Sequence, residues 1–400
     1  MTPRGWSVAP LGLLLERLCG GGTPSRQNAE FWGGTIPWAS VKDMGSGRLS
    51  RTKETITSEA LAASAAQLIP AGAVVVATRM NVGAVSRTVV PTAINQDLKA
   101  LIPGPSLDRD FLFFLLGSKK DHFAGQATGS TVKGIRQEAL TDLILPWPPI
   151  SEQCKIAAVL SSMDDAIEAT QAVIGQLNVV KKAMMAELLT RGLPGRHTRF
   201  KQTEIGEVPK DWAVVRIVEC CTIRNDLRKP INQVERAKIP GPYPYYGPTR
   251  AVDSINEWRL DGTFALIGED GDHFLKFDRW SMTQLVSGRF NVNNHAHVIA
   301  GTPRCSAEWF AVFFQHRDLT SKLTRQGANR YKLRKATVEE LLIPLPSPDE
   351  QATIVRSLAW VDARIAIEQE LVQEARQLKS ALMSVLLTGE VRVSPDEAAA

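Results

Sequence analysis

The sequence predicts an α+β fold: two mixed α/β domains joined by two long helices that form an antiparallel intramolecular coiled coil, with approximate two-fold symmetry. Three observations predict it. The run from Leu145 to Thr190 returns without a gap from Ile343 to Thr388, displaced by 198 residues in a chain of 400. That period is far too long for a solenoid unit and implies two similar domains, each ending in the same helix. Both copies carry apolar residues on a 3.5-residue period, and the segments between them read as short strands punctuated by Gly, Pro and Asn. The resulting division is a first domain at 1–150, a helix at 151–192, a second domain at 196–346, a second helix at 347–390 and a disordered tail at 391–400.

The helices have the clearest pattern. In the first, alternating steps of four and three residues pick out Ile156, Leu160, Met163, Ile167, Thr170, Ile174, Leu177, Lys181, Met184 and Leu188. The second repeats the pattern at Ile354, Leu358, Val361, Ile365, Glu368, Val372, Ala375, Lys379, Leu382 and Leu386. The apolar members other than Met184 and Ala375 are the expected helix-pairing residues, because such a seam held over five heptads marks a coiled coil rather than one amphipathic face. The polar exceptions coincide, Thr170 with Glu368 and Lys181 with Lys379, and polar seam residues fix register at a cost in stability. Ser347, Pro348 and Glu350 read as a capping box, Ser151 as the N-cap of the first helix, and Gly192 and Gly389 as C-terminal glycines. Each helix is then roughly 40 residues, or about 60 Å. An apolar seam needs a partner, and the other copy in the same chain is the nearest one. Two core helices of unrelated domains would be the plainer alternative.

Composition supports two ordinary domains, with 44% hydrophobic residues and no run of 18 apolar residues to cross a membrane. The N-terminus lacks a signal-peptide pattern. The five cysteines, Cys19, Cys154, Cys220, Cys221 and Cys305, form no C-x-x-C pair, which argues against a disulfide framework and for a reducing cytoplasm. The net charge of +5 is unevenly spread. Residues 1–150 hold 15 basic against 11 acidic side chains and 196–346 hold 23 against 17, whereas both helical segments are net acidic. A basic excess confined to two modules suggests that the modules meet a polyanion.

Within those modules, strands are expected at 73–77, 265–268 and 297–300 and short helices at 58–67, 108–117 and 307–318. Aromatic and basic residues cluster in loops, notably Tyr243 to Gly247 and Asn329 to Arg334. Arg reads guanine and Asn or Gln reads adenine through paired hydrogen bonds, so such loops suit base and phosphate contact. Solvated loops with ordinary packing tyrosines are the plain alternative.

At this point the residues resemble a family along nearly the whole chain: the specificity subunits of type I restriction-modification systems. The resemblance is carried by Leu145-Pro146-x-Pro148-x-x-x-Glu152-Gln153 and its second copy, Ile343-Pro344-x-Pro346-x-x-x-Glu350-Gln351, each followed by the long helix and a Leu-Leu-Thr end. Phe200 to Trp212 looks like the approach to a second target-recognition domain. Further matches are Ile36 to Trp38, Ile94 to Asp97, Ile267 to Gly271 and Asn293 to His297. The resemblance implies two target-recognition domains, each reading one half of a split DNA site. It also implies paired helices that hold the domains apart and dock two methyltransferase subunits, and a nuclease-translocase subunit that completes the complex. This chain would carry no cofactor, the partners using S-adenosylmethionine, ATP and magnesium. By residue type, the DNA contacts are expected at Lys42, Arg79, Asn81, Ser130, Thr131, Lys133, Arg136, Tyr245, Tyr246, Arg250, Asn329, Arg330, Lys332 and Arg334.

The chain is not expected to be an enzyme. An amino-methyltransferase would grip its flipped base with Asn/Asp-Pro-Pro-aromatic, but Pro148-Pro149 lies between Trp147 and Ile150. No Gly-Lys pair supplies a P-loop. Asp97-Leu98-Lys99 has the form of a nuclease triplet, yet no acidic residue lies between Glu59 and Asp97 to complete it. His295-x-His297 could place two imidazoles on one strand face as zinc ligands, but with no third ligand a structural or loop role is favoured and no metal is expected. Asp164-Asp165 reads as a solvated face or helix contact, and Gly20 to Gly22 as a flexible turn. A non-enzymatic coiled-coil scaffold with protein-binding globular ends stays open as the other reading.

Overall fold

The computed structural model describes residues 3–45, 47–129, 132–326 and 330–393. Ser130, Thr131, Asn329 and residues 394–400 of the expected tail lie outside them. The chain divides into two compact units, Met1–Ala172 with Gln369–Ala400, and Val173–Glu368. This division cuts through the two long helices, Ile150–Arg191 and Pro348–Leu386, so each unit contains part of both.

In the first unit, Leu15–Cys19, Leu98–Pro103, Val74–Ala77, Val85–Thr88 and Arg48–Leu49 form a five-stranded sheet. A four-stranded sheet runs Glu54–Ile56, Trp32–Ala39, Thr92–Ile94 and Gln67–Ile69. The Val74–Ala77 strand is buried throughout, as its unbroken apolar run requires. The helix expected at 58–67 stops at Ala62, and Gln67–Ile69 is a strand instead. Leu68 and Ile69 prefer the sheet edge that Thr92–Ile94 offers them. The second unit is built on a six-stranded sheet ordered Thr222–Ile223, Ala296–Ala300, Leu260–Gly268, Thr283–Val292, Pro240–Tyr246 and Ala251–Ile255. Its aromatic helix Ala307–Phe314 is shorter than expected and buries Trp309, Phe310, Phe313 and Phe314.

Each unit attaches the start of one long helix in the same way. Ser7–Pro10 pairs with Ile144–Trp147 ahead of the first helix, and Ala213–Arg216 pairs with Leu342–Leu345 ahead of the second, both antiparallel. Gln153 Oε1 accepts from Asp108 N at 2.8 Å while Gln351 Oε1 accepts from Ser306 N at 3.1 Å. Asp108 and Ser306 each cap the helix that follows.

All ten seam positions in each helix are buried or half-buried, whereas most positions between them are exposed. In the first unit Ile156, Leu160, Leu386 and the half-buried Leu382 share a core with Trp6, Phe111 and Trp147. In the second, Leu188, Ile354 and Leu358 share one with Trp212, Phe310 and Phe314. The stripe is therefore fused at its ends to the globular cores, where a fully buried Leu or Ile contributes roughly 1.5–3 kcal/mol. Lys379 Nζ reaches Asp164 at 2.5 Å in the first unit, and Lys181 Nζ reaches Asp362 at 2.5 Å in the second. Within each unit the two helix segments thus run antiparallel.

The helix ends correct two expectations. The first helix begins at Ile150, directly after the prolines, so Ser151 lies inside its first turn and is not the N-cap. Ser347 Oγ accepts from Glu350 N at 3.4 Å as a cap should, but the Glu350 carboxylate turns inward to accept from Trp212 Nε1 at 3.3 Å. Gly192 and Gly389 adopt φ of +76° and +73°, the left-handed geometry of C-terminal glycines. Beyond Gly389 the chain stays tied down at first, because Arg392 binds Glu152 at 2.7 Å.

Candidate nucleic-acid interface

Parallel strand pairing brings distant loops to one edge of each unit. In the first, Trp38 pairs with Ala93 and Ala39 with Ile94 in parallel, so the turn carrying Lys42 and the turn at Asn95 to Asp97 leave the sheet at the same end. Asn95 N donates to Ala39 O at 2.9 Å to join them. The Asn95 side chain accepts from Asp97 N at 3.1 Å, the short-range bond that makes Asn a turn residue. Asp97 O in turn accepts from Thr78 N at 2.8 Å, which adds the loop carrying Arg79 and Asn81. A third loop closes on that one through Met80 N to Lys133 O at 3.2 Å and Ile135 N to Thr78 O at 2.9 Å. Lys42, Arg79, Asn81, Lys133 and Arg136 are all exposed, on loops that these bonds connect. Met80, at the tip, has φ +63°, a conformation uncommon outside glycine.

The second unit builds the same constellation from different side chains. Asn293 Oδ1 accepts from His295 N at 2.8 Å, and His295 O accepts from Glu269 N at 2.8 Å. Gly271 N donates to Tyr331 O at 3.2 Å and Leu333 N to Glu269 O at 2.8 Å, matching the Met80 and Ile135 bonds. Thr78, Arg79 and Met80 therefore correspond to Glu269, Asp270 and Gly271, and Asp97 corresponds to His295. The partners are exchanged in position: Arg79 faces Asp97 at 3.8 Å, while Asp270 faces the imidazole of His295 at 2.9 Å. Tyr246 and Arg250 belong to this edge as well, since Asn293 N donates to Tyr246 O at 3.0 Å and Gly247 N to Arg250 O at 2.8 Å.

Other expected contacts are placed differently. Tyr245 is fully buried, its hydroxyl donating to Lys229 O at 2.8 Å and accepting from Ile231 N at 2.9 Å. It supports the loop from beneath and corrects the expectation that it reaches outward. Lys332 is held by Glu269 at 2.9 Å. Burial works to raise the Glu269 carboxyl, but hydrogen bonds from Lys332 and Arg228 outweigh it and hold the group below the usual range. Arg330 lies in the strand Arg330–Lys332, and Arg334 is exposed at the start of the helix Lys335–Glu340. Asp97, Asp270 and His295 sit at the centre of the two constellations and were not among the expected contacts. The signal for Asp97 and His295 was the Asn-x-Asp and Asn-x-His spacing at residues 95–97 and 293–295; Asp270 had none of this kind.

The smaller constellations resolve in the same way. His297 is buried, with Nε2 donating to Leu333 O at 2.8 Å and Nδ1 accepting from Asn225 Nδ2 at 2.9 Å; burial pushes its pKa down. It does not share a face with the exposed His295. Asp164 and Asp165 diverge, one to Lys379 and the other to Arg48. The glycine run is a close approach rather than a flexible turn: a Cβ on Gly21 would stand 1.9 Å from Ile94 O, against the strand that leads into the Asn95 turn.

The chain thus holds two related units, each with its own exposed loop set and its own segments of both long helices. The model of the type I restriction modification DNA specificity domain matches residues 3–179 and 209–377, and the chain belongs to that family. It is 26% identical over 418 aligned residues to the type I restriction enzyme MjaIX specificity subunit of Methanocaldococcus jannaschii, covering 98% of this chain and 94% of that one. It is 35% identical over 154 residues to the EcoR124I/EcoR124II specificity subunit of Escherichia coli, covering 36% of this chain and 38% of that one. Among solved structures, the S subunit of a type I restriction-modification system from M. genitalium superposes with a TM-score of 0.64 at 14% identity, covering 95% of this chain and 96% of that one. This last likeness concerns the fold.

Proposed function

We propose that this chain is the DNA-specificity subunit of a type I restriction-modification complex, each unit reading one half of a two-part DNA site. The observation that carries the reading is the loop constellation built twice on one hydrogen-bond plan with different side chains at its centre. One scaffold with two sets of readers suits a target of two unlike half-sites, because hydrogen-bonding patterns on base edges differ between sequences. The basic excess of both domains supports phosphate contact, the part of binding that carries no sequence information. The loop residues Lys42, Arg79, Asn81, Lys133, Arg136, Tyr246, Arg250, Arg330 and Arg334 are proposed contacts, with Asp97, Asp270 and His295 added to them.

The long helices are the proposed dock for two methyltransferase subunits. On the second helix Trp360, 68% exposed, and the exposed Ile367 lie two turns apart on one helical face in the second unit, and the exposed Leu371 and Leu378 do the same in the first. Large exposed apolar side chains on a helix with its seam already occupied mark a partner surface. Methyl transfer, translocation and cleavage, with their S-adenosylmethionine, ATP and magnesium, then belong to methyltransferase and nuclease-translocase partners in the cytoplasm. No helix among the described residues is long and apolar enough to cross a membrane.

Methylome sequencing of cells that express this chain with its methyltransferase partner, against cells lacking the chain, tests the proposal. The expected result is a methylated motif of two short blocks around a fixed gap that disappears with the chain. An active partner with no such motif would instead favour a scaffold whose globular ends bind protein.

A further inference from the structure

The five cysteines are scattered in sequence, but three meet in the second unit. Cys220, Cys221 and Cys305 are buried, and their Sγ atoms all lie within 4.8 Å of one another. Cys220 ends the one-turn helix Ile217–Cys220, Cys221 follows it, and Cys305 precedes the helix cap Ser306. The loop carrying Cys305 is fastened over the pair, since Thr302 Oγ1 donates to Cys220 O at 2.6 Å and Cys305 N donates to Thr302 O at 3.2 Å.

Packing alone does not call for sulfur there, and the first unit supplies the comparison. Leu11 N donates to Leu143 O as Ile217 N does to Leu341 O, each at 2.9 Å. Gly104 N binds Leu14 O at 2.8 Å where Thr302 Oγ1 binds Cys220 O, and Leu107 N binds Gly104 O at 3.1 Å where Cys305 N binds Thr302 O. The positions of Cys220, Cys221 and Cys305 are therefore those of Leu14, Leu15 and Leu107. Leu107 belongs to the apolar core of the first unit, and the half-buried Leu14 and Leu15 pack against it. One fold built twice in one chain needs only ordinary apolar side chains at these places, yet the second copy has thiols at all of them. A single buried cysteine behaves as a small hydrophobe; three in mutual contact make a ligand set.

We propose that Cys220, Cys221 and Cys305 form a three-thiolate site for a soft closed-shell cation, zinc(II) or copper(I). Thiolates select these ions over harder ones. With metal–sulfur bonds of about 2.3 Å, the sulfurs of such a site stand roughly 3.8–4.0 Å apart, so the cluster needs to contract by no more than about 1 Å. Among the described residues no further His, Cys, Asp or Glu completes the group, which leaves a three-coordinate ion or a fourth position for water. Capture of zinc(II) joins it to three sulfurs and releases their three thiol protons, leaving one net negative charge on the site. No electron moves in this step, and occupancy tightens as pH rises.

The test uses the full-length chain purified under reductant, exposed to zinc(II) or copper(I), gel-filtered and examined by native mass spectrometry. One ion per chain should be retained, and cobalt(II) should give a thiolate-to-metal charge-transfer band. The variant Cys220→Leu, Cys221→Leu, Cys305→Leu, which copies the first unit, should fold and retain no ion. Should it not fold, Cys305→Ser must weaken binding by at least about tenfold, since removing a ligand costs no less than removing its supporting partner. Retention of the ion by the leucine variant, an affinity unchanged in Cys305→Ser, or no retained ion in the wild type each overturns the proposal. Which of the two metals survives filtration identifies the ion. The outcome is independent of DNA recognition, which methylome sequencing reads separately.

Discussion

Glu152 and Glu350 stand at the same point of the two copies, almost inaccessible to solvent, and each accepts from a tryptophan indole, Trp6 at 3.2 Å or Trp212 at 3.3 Å. A buried carboxylate survives only where its charge is answered. In the second unit His197 Nε2 at 2.9 Å, Leu193 N at 3.2 Å and Arg196 Nε at 3.5 Å answer it. In the first, Arg392 does so through Nε at 2.7 Å and Nη2 at 2.8 Å. The Arg392 hydrogen bonds hold the Glu152 carboxyl below its ordinary value of 4.5. A carboxyl lowered by folding adds stability that is complete above its unfolded pKa and is lost as pH falls through the folded one. Arg392→Met should therefore be less stable than the wild type at neutral pH, by a margin that shrinks as pH falls from neutrality through and below the ordinary carboxyl value. Urea unfolding across that range reads the margin; a difference constant with pH would show that Arg392 acts by packing against Trp6 and not through its charge.

The seam lysines raise the corresponding question for the helices. Lys181 and Lys379 occupy positions that are elsewhere apolar, and each spends its charge on a single aspartate of the opposite helix. Ion pairs of this kind contribute little stability, and exchanging them for apolar packing is neutral or favourable. Replacing both lysines together with their partners Asp164 and Asp362 by apolar residues should raise stability by about 1 kcal/mol, seen as a higher Tm, and a lower Tm would mean that the pairs hold the helices together. The lysines are then register devices, matching acid to base at one alignment only. This seam was legible in the sequence because helical periodicity is a local property, visible in the spacing of Ile156 to Leu188 without knowing the partner. The inward turn of Glu350 was not legible, because its partners Leu193, His197 and Trp212 lie over a hundred residues away in sequence and meet it only after folding. The loop edges were half legible. Residue type found Arg79, Asn81 and Lys133, but the parallel pairing that gathers them follows from strands more than fifty residues apart. Tyr245 and Tyr246 look alike in sequence, and strand alternation buries the hydroxyl of one while leaving the other half-exposed at the edge.

At the scale of the whole chain the two helices are copies displaced by 198 residues without a gap, so their lengths have stayed matched while the domains diverged. On the proposed function, matched length is what a spacer between two half-site readers requires. An antiparallel seam keeps its register only if both strands lengthen together. A heptad adds two turns and returns the seam to the same face. Inserting seven residues after Thr170 and seven after Glu368, the equivalent position, lengthens each helix by about 10.5 Å. That corresponds to about three base pairs at a rise of 3.4 Å. The expected methylated motif has unchanged half-site bases and a gap longer by about three base pairs, read by the same methylome sequencing. Insertion into one helix alone leaves the seam out of register and should give an unstable protein. If the doubly extended chain folds and methylates at the original gap, the helices do not set the spacing, and the distance between half-sites must be fixed by the methyltransferase subunits instead.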